Sequence, residues 1–296
     1  MPAARAAFAG LIDYAGLFPP AGLPLDDVVR NYGKYRSGTH AWMLGRLIVP
    51  HEKLPDLESL ARSAAATQDA RWPVSVLIGT AAASDAAAAM IRRVTNPNSV
   101  LHIESIEGSA ATVADIAMMA AAFPASLDRF VEIPSEPDPA DLIAEIGRHG
   151  CAAKVRAGGV IAEAFPSPAR LARLLTRAAA TRVPLKATAG LHHAVRGDRR
   201  LTYAEDSAST TMHGFVNLVL AATLLTAGRI DEDLAEALLD DDRPEAFKFG
   251  GRAGSWLNAV VTYSEIAHAR RALLRSVGSC SFDEPVTELV SLGFVE

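Results

Sequence analysis

The sequence predicts a single (β/α)8 barrel, and three observations support this fold class. Short apolar runs alternate with longer amphipathic segments along the 296 residues. No Gly-x-Gly-x-x-Gly follows any of the apolar runs, which argues against an open dinucleotide-binding sheet. No linker or low-complexity segment divides the chain, so we expect residues 1–296 to form one barrel domain with a long loop after the seventh strand and a C-terminal extension.

Eight segments have the length and apolar content of buried strands. They are residues 10–18, 41–49, 73–79, 99–107, 128–134, 152–159, 184–191 and 245–251. The segments between them have helical periodicity, and several begin with Ser, Thr, Asp or Pro, as helix N-termini commonly do. Residues 192–211, after the seventh strand, are polar and long enough to form a lid over a site.

Composition and charge narrow the function classes. A formal net charge of −5 gives no basic footprint for nucleic acid or for an anionic membrane surface. The two cysteines, Cys151 and Cys280, are far apart and indicate neither a disulfide framework nor a metal cluster. The longest apolar stretch, residues 214–228, is too short to span a bilayer comfortably. We therefore expect a cytoplasmic enzyme that binds a small molecule and not a membrane or nucleic acid; a homo-oligomer is compatible with the sequence.

Charged residues interrupt several predicted strands on the face that should point into the barrel. Alternation around flanking apolar residues directs Lys154 and Arg156 inward on strand six, and Lys186 and Thr188 inward on strand seven. Barrel interiors are usually filled by Val, Ile and Leu, so a cluster of inward charges indicates a site. The same alternation directs four further side chains inward, namely Asp13, Arg46, Glu104 and Glu132.

Three of these strands resemble a known family. "LIDYAGLFPPA" on strand one, "KVRAGG" on strand six and "LKATAGL" on strand seven resemble the corresponding segments of the deoxyribose-phosphate aldolase family. The resemblance implies a (β/α)8 barrel in which Lys154 forms a Schiff base, Lys186 lowers its pKa, Asp13 assists and Gly190 lies beside a substrate phosphate. The chain differs from the family where Val155 and Arg156 follow the first lysine, so the resemblance bears more on the fold than on the substrate.

The residue chemistry fits a cofactor-free lyase of the class I aldolase type. An amine attacks a carbonyl only when neutral, and desolvation and nearby cations lower the pKa of a lysine. Glu104 and Glu132 are candidates for moving protons at the substrate. We expect a small anionic aldehyde, ketone or sugar-phosphate-like substrate, and the candidate residues for binding it are Arg46, Arg156, Thr188, Gly190, His192, Gly250 and Gly251.

Two other function classes remain open. Glu104, Glu132 and His192 could hold a divalent metal, in a metal-dependent lyase, isomerase or hydrolase; oxygen ligands favour Mg or Mn, and histidine favours Zn or Fe. Alternatively, the barrel binds a small molecule without catalysis, and the inward charges only form ion pairs.

Overall fold

Eight parallel strands close into a barrel in the computed structural model, which describes residues 2–64 and 71–296. Each of the first seven strands pairs with the next in sequence, and the last strand pairs with both the seventh and the first. Helices surround the barrel, so the predicted (β/α)8 fold is confirmed. The barrel strands are β1 (Ile12–Tyr14), β2 (Leu44–Pro50), β3 (Trp72–Thr80), β4 (Leu101–Ser109), β5 (Asp128–Glu132), β6 (Ala152–Arg156), β7 (Leu185–Thr188) and β13 (Leu274–Ser279).

The helices bury apolar faces against the outside of the barrel, and several have the N-terminal caps expected from the sequence. Thr112 and Thr262 form capping boxes with Asp115 and Glu265, and Ser167 caps a helix whose first residue is Pro168. Within the described residues the α-helices are α1 (Pro2–Phe8), α2 (Leu25–Ser37), α3 (Leu54–Ala64), α4 (Ser84–Val94), α5 (Val113–Ala122), α6 (Ala140–Arg148), α7 (Pro168–Thr181), α8 (Phe215–Thr226), α9 (Glu232–Asp240), α10 (Tyr263–Ala272) and α11 (Asp283–Ser291).

The eighth barrel strand is not the predicted one. Residues 245–251 contribute β10 (Phe247–Phe249) to a separate antiparallel sheet with β11 (Ala253–Trp256) and β12 (Ala259–Thr262). The barrel is closed instead by β13, in which Ser276 aligns with Lys186 of β7 and Val277 aligns with Ile12 of β1. The prediction failed because Ser276, Gly278 and Ser279 make β13 less apolar than the run around Phe247.

The long connection between β7 and β13 contains regular structure. The segment predicted as a lid includes β8 (Gly197–Arg200) and part of β9 (Ser209–Met212), which pair as an antiparallel hairpin. The apolar stretch that follows forms α8, which is buried along ten consecutive residues from Phe215 to Leu224. No helix in the described ranges combines the length and apolarity needed to cross a membrane.

A bulge in β4 changes which of its side chains point into the barrel. The pairing of β3 with β4 shifts register between Ile103 and Ser105, so that Glu104 has no pairing partner on β3. Beyond the bulge, Ser105 and Glu107 point inward and Ile106 packs among the outward-facing apolar residues. The β4 glutamate that reaches the lysines is therefore Glu107; the prediction that Glu104 joins them is wrong, because Glu104 pairs with Arg46 at the other end of the barrel.

Candidate active site

Two lysines and three carboxylates form a continuous ion-pair network inside the barrel. Lys186 Nζ lies 2.5 Å from Asp13 Oδ2 and 2.6 Å from Glu107 Oε1. Lys154 Nζ lies 2.9 Å from Glu107 Oε2 and 3.1 Å from Glu132 Oε2. The two lysines are direct neighbours on β6 and β7, and Glu107 bridges them. Each buried ammonium is thus matched by two carboxylates, as a stable buried charge requires.

Hydroxyl groups on the neighbouring strands hold the carboxylates in place. Ser75 donates a hydrogen bond to Glu107 Oε1 at 2.6 Å, and Ser105 donates one to Ser75 Oγ at 2.6 Å. Ser276 donates one to Asp13 Oδ2 at 2.7 Å. These bonds come from β3, β4 and β13, so strands distant in sequence fix the position of one network.

Asp13 needs a glycine beside it. Its Oδ1 accepts a hydrogen bond from the backbone N–H of Arg46 at 2.7 Å. A Cβ at Gly45 would lie 2.3 Å from the same oxygen, which is too close for any side chain. The absence of a side chain at Gly45 therefore lets Asp13 approach β2.

The charges of the network determine the protonation of its members. Burial alone would lower the pKa of Lys154, but Glu107 and Glu132 raise it above its ordinary value. Burial alone would raise the pKa of Glu107, but the ammonium groups of Lys186 and Lys154 hold it well below its usual range. The expected lowering of the Lys154 pKa by cations is not found in the resting protein, because the carboxylates outweigh the neighbouring lysine.

One lysine borders an open cavity and the other does not. A cavity of about 240 Å³ lies at the C-terminal end of the barrel, where β1, β2, β3, β4, β6, β7 and β13 end. Lys154, which is 6% exposed, lines it, whereas Lys186 is 0% exposed and lies deeper. The cavity is lined by Ala15, Phe18, Pro19, Pro20, Ile48, Leu77, Glu107, Lys154, Arg156, Gly159, Val160, Thr188, Ala189, Gly190, His192, Gly278 and Cys280.

His192 is a neutral member of the cavity wall. Its Nδ1 lies 2.9 Å from Ser279 Oγ and 3.7 Å from Cys280 Sγ. Burial lowers the pKa of His192 to about 4, and burial raises the pKa of the Cys280 thiol to about 11. At neutral pH this wall therefore supplies an uncharged imidazole and a thiol, and no ionic group.

The structure divides the predicted site residues into four groups. Asp13, Glu132, Lys154 and Lys186 meet in the network, and Arg156, Thr188, Gly190 and His192 line the cavity. Arg46 and Glu104 lie at the opposite, N-terminal end of the barrel, where Arg46 Nε is 2.9 Å from Glu104 Oε2. Gly250 and Gly251 connect β10 to β11 outside the barrel, so they do not follow a barrel strand as predicted.

This placement removes the predicted metal ligand set. Glu104 is at one end of the barrel, whereas Glu132 and His192 are at the other. Across residues 2–64 and 71–296, no three His, Cys, Asp or Glu side chains are grouped so that they could hold a metal ion.

Glu107 is the site residue that sequence reasoning missed. The spacing of Leu101, Ile103 and Ile106 carries the signal, because residues 103 and 106 cannot share a face of a regular strand. If both are outward, a bulge must lie between them, and Glu107 then points inward.

The chain was compared with protein-family models and with curated protein sequences. No family model and no curated sequence matches it.

Proposed function

We propose that the protein is a Schiff-base-forming lyase of the class I aldolase type, with Lys154 as the nucleophile. The observation that carries the proposal is a buried lysine amine at the wall of an open cavity, held between two carboxylates. Lys186 is buried beneath it and does not line the cavity, so a substrate reaches Lys154 first. A buried lysine in a cleft with charged partners is a common arrangement for covalent catalysis at a carbonyl.

The reaction begins with the minor, neutral form of Lys154. The amine adds to the substrate carbonyl to give a carbinolamine, and loss of water gives an iminium ion. A base then removes the proton from the hydroxyl group of the β-carbon, the adjacent carbon–carbon bond breaks, and its electron pair forms an enamine on the lysine nitrogen. An aldehyde leaves, and protonation and hydrolysis of the enamine release the second product and the free amine.

The carboxylates have different roles in the proposed reaction. Glu132 is partly exposed in an adjoining cavity of about 550 Å³ and lies 3.1 Å from Lys154, so it is the candidate base at the substrate hydroxyl. Glu107 is buried and kept ionised by both lysines, which suits it to stabilise the cationic iminium. Lys186 and Asp13 act as positioning residues, since Lys186 contacts both Glu107 and Asp13, and neither residue lines the cavity.

The resemblance to deoxyribose-phosphate aldolases supports Lys154 as the nucleophile. The residues that carry it are Asp13, Lys154 and Lys186, and in the structure all three belong to one network.

Reductive trapping tests the proposal. The protein is incubated with short aldehydes and cyanoborohydride near neutral pH, and the mass added per chain is followed by intact mass spectrometry. The matched variants are Lys154→Arg, which keeps the charge but cannot form an imine, and Lys248→Arg, which changes an exposed lysine of β10. Circular dichroism checks that both are folded.

We expect wild type and Lys248→Arg to gain one adduct rapidly, and Lys154→Arg to lose that phase by about 100-fold or more. Equal labelling of folded Lys154→Arg and wild type would contradict the proposal.

A further inference from the structure

We infer that the substrate is an unphosphorylated carbonyl compound whose group next to the carbonyl is apolar. The inference depends on the proposed function, because it concerns the substrate of the same cavity. It departs from the anionic substrate expected from the sequence. Three independent features of the cavity carry it: its charge balance, the loops that follow the last strands, and its walls.

The two lysines of the site already form ion pairs with carboxylates. Lys154 lies between Glu107 and Glu132, and Lys186 lies between Asp13 and Glu107. Arg156 also lines the cavity; its side chain is 58% exposed, and its nearest carboxylate oxygen is at 3.9 Å, on the Glu132 that pairs with Lys154. A phosphate would add about two negative charges to three cations and three carboxylates whose charges already balance. The free-energy cost of removing the phosphate from water would then not be offset.

The loops in which (β/α)8 barrels commonly bind phosphate are either occupied by a protein side chain or acidic here. Such sites use the loops after the last two strands and a helix N-terminus. Here a Cβ at Gly190, after β7, would lie 2.6 Å from the ring of Phe165, and one at Gly158 would lie 2.4 Å from it. These two glycines therefore make room for an aromatic ring of the protein.

The helix after the last strand repels an anion. α11 begins with Asp283 and Glu284, and two carboxylates in the first turn oppose a bound phosphate by like charge. Arg199 and Arg200 lie nearby, but they line an adjoining cavity of about 270 Å³ that also contains Glu284.

The walls and rim of the Lys154 cavity are largely apolar. Phe18, Pro19 and Pro20 form one side, and Ile48 and Leu77 lie on another. Val160 lines the cavity while 41% exposed. Exposed apolar side chains at the mouth of a site favour a ligand that covers them.

Two matched pairs of aldehydes test the inference by cyanoborohydride trapping. Butanal and succinic semialdehyde share a four-carbon chain but differ by a carboxylate. Glyceraldehyde and glyceraldehyde 3-phosphate differ by a phosphate. The initial rate of adduct formation at Lys154 is measured for each by peptide mass spectrometry, which separates Lys154 from the exposed Lys34, Lys53 and Lys248.

We expect each uncharged aldehyde to label Lys154 at least about ten-fold faster than its anionic partner, because both lysines are already paired with carboxylates and Arg156 is exposed to water near Glu132. Equal or faster labelling by either anionic member would overturn the inference while leaving the Schiff base intact. If no aldehyde labels Lys154, the proposed function fails.

A pair of neighbouring variants checks the apolar wall. Val160→Ser removes apolar surface from the cavity, whereas Ile161→Ser removes it from a side chain that does not line the cavity. We expect Val160→Ser to slow butanal labelling about three- to ten-fold and to leave glyceraldehyde nearly unchanged, since only butanal lacks polar groups on its chain. The inference is contradicted if Ile161→Ser slows butanal labelling as much as Val160→Ser does.

Discussion

The two ends of the barrel interior both contain ion pairs beside a cavity, yet they differ in chemistry. At the C-terminal end the central cation is Lys154, between Glu107 and Glu132. At the N-terminal end it is Arg46, between Glu104 and Asp128 at 2.9 and 2.7 Å, beside a cavity of about 330 Å³. A guanidinium stays protonated in proteins and is not a nucleophile, whereas an amine can lose its proton and attack a carbonyl. Inward charge alone therefore does not identify the active end.

Burial separates the two ends as well. The side chain of Glu107 is 1% exposed, whereas those of Glu104 and Asp128 are 33% and 37% exposed. Water can replace a lost partner at the N-terminal end but not around Glu107. We therefore expect breaking the inner network to cost much more stability than breaking the Arg46 pairs.

The largest effect on stability is expected from Lys186→Ala. Removing this ammonium leaves Asp13 and Glu107 buried without their shared partner, and breaking a buried pair in this way costs about 3–5 kcal/mol. Urea unfolding measures the change in the free energy of unfolding, with Lys248→Ala as the exposed control. A loss below about 1 kcal/mol would show that the network is not a stabilising unit.

Lys186→Ala also tests how the neighbouring charges set the pKa of Lys154. With Lys186 gone, Glu107 interacts with Lys154 alone, so the pKa of Lys154 rises further and trapping at a fixed neutral pH slows. Trapping that becomes faster in this variant would contradict the assigned charges.

A smaller loss of stability is expected from Arg46→Met. Its carboxylate partners are partly hydrated, so we expect a decrease of about 1–2 kcal/mol in the free energy of unfolding. The rate of aldehyde trapping should stay within about two-fold of wild type, because Arg46 is at the other end of the barrel. A large loss of trapping in folded Arg46→Met would mean that the two ends are coupled.

The smallest effect is a shift in pH dependence caused by Glu132→Gln. The raised pKa of Lys154 means that its neutral fraction, and the trapping rate, increase about tenfold per pH unit between about pH 7 and 9. Removing the Glu132 charge lowers the pKa of Lys154, so the same rate is reached at a lower pH. Carbon–carbon cleavage should nevertheless slow, because the base is lost. An unchanged trapping profile would show that Glu132 does not act on Lys154.

Strand alternation predicted most of the inner network from sequence. On β5, β6 and β7 single charged residues stand between apolar neighbours, so Glu132, Lys154 and Lys186 were correctly directed inward. The same rule failed on β4, because the bulge at Glu104 reverses the alternation. A period of two is reliable only while the pairing register is regular.

The remaining wrong predictions depend on contacts between residues distant in sequence, such as the strand pairing that closes the barrel. Local sequence patterns do not predict such contacts. The run around Phe247 and the true strand β13 both follow helical segments, and only pairing with β1 and β7 distinguishes them. Arg46 points inward as predicted, but it lies at the N-terminal end of the barrel. Alternation predicts which face of a strand a side chain occupies, and it does not predict which end of the barrel the side chain is near. The packing of Phe165 against Gly190 is likewise a contact between residues distant in sequence, and local patterns do not predict it.

The most direct test of the central claim is to locate the reduced aldehyde adduct by peptide mass spectrometry. The protein is trapped with butanal and cyanoborohydride at about pH 8, digested, and the modified lysines are ranked by initial rate. We predict that Lys154 is modified first and that Lys186, which is buried between Asp13 and Glu107, stays unmodified in the folded protein. Modification at Lys186, or at exposed lysines alone, would contradict the account.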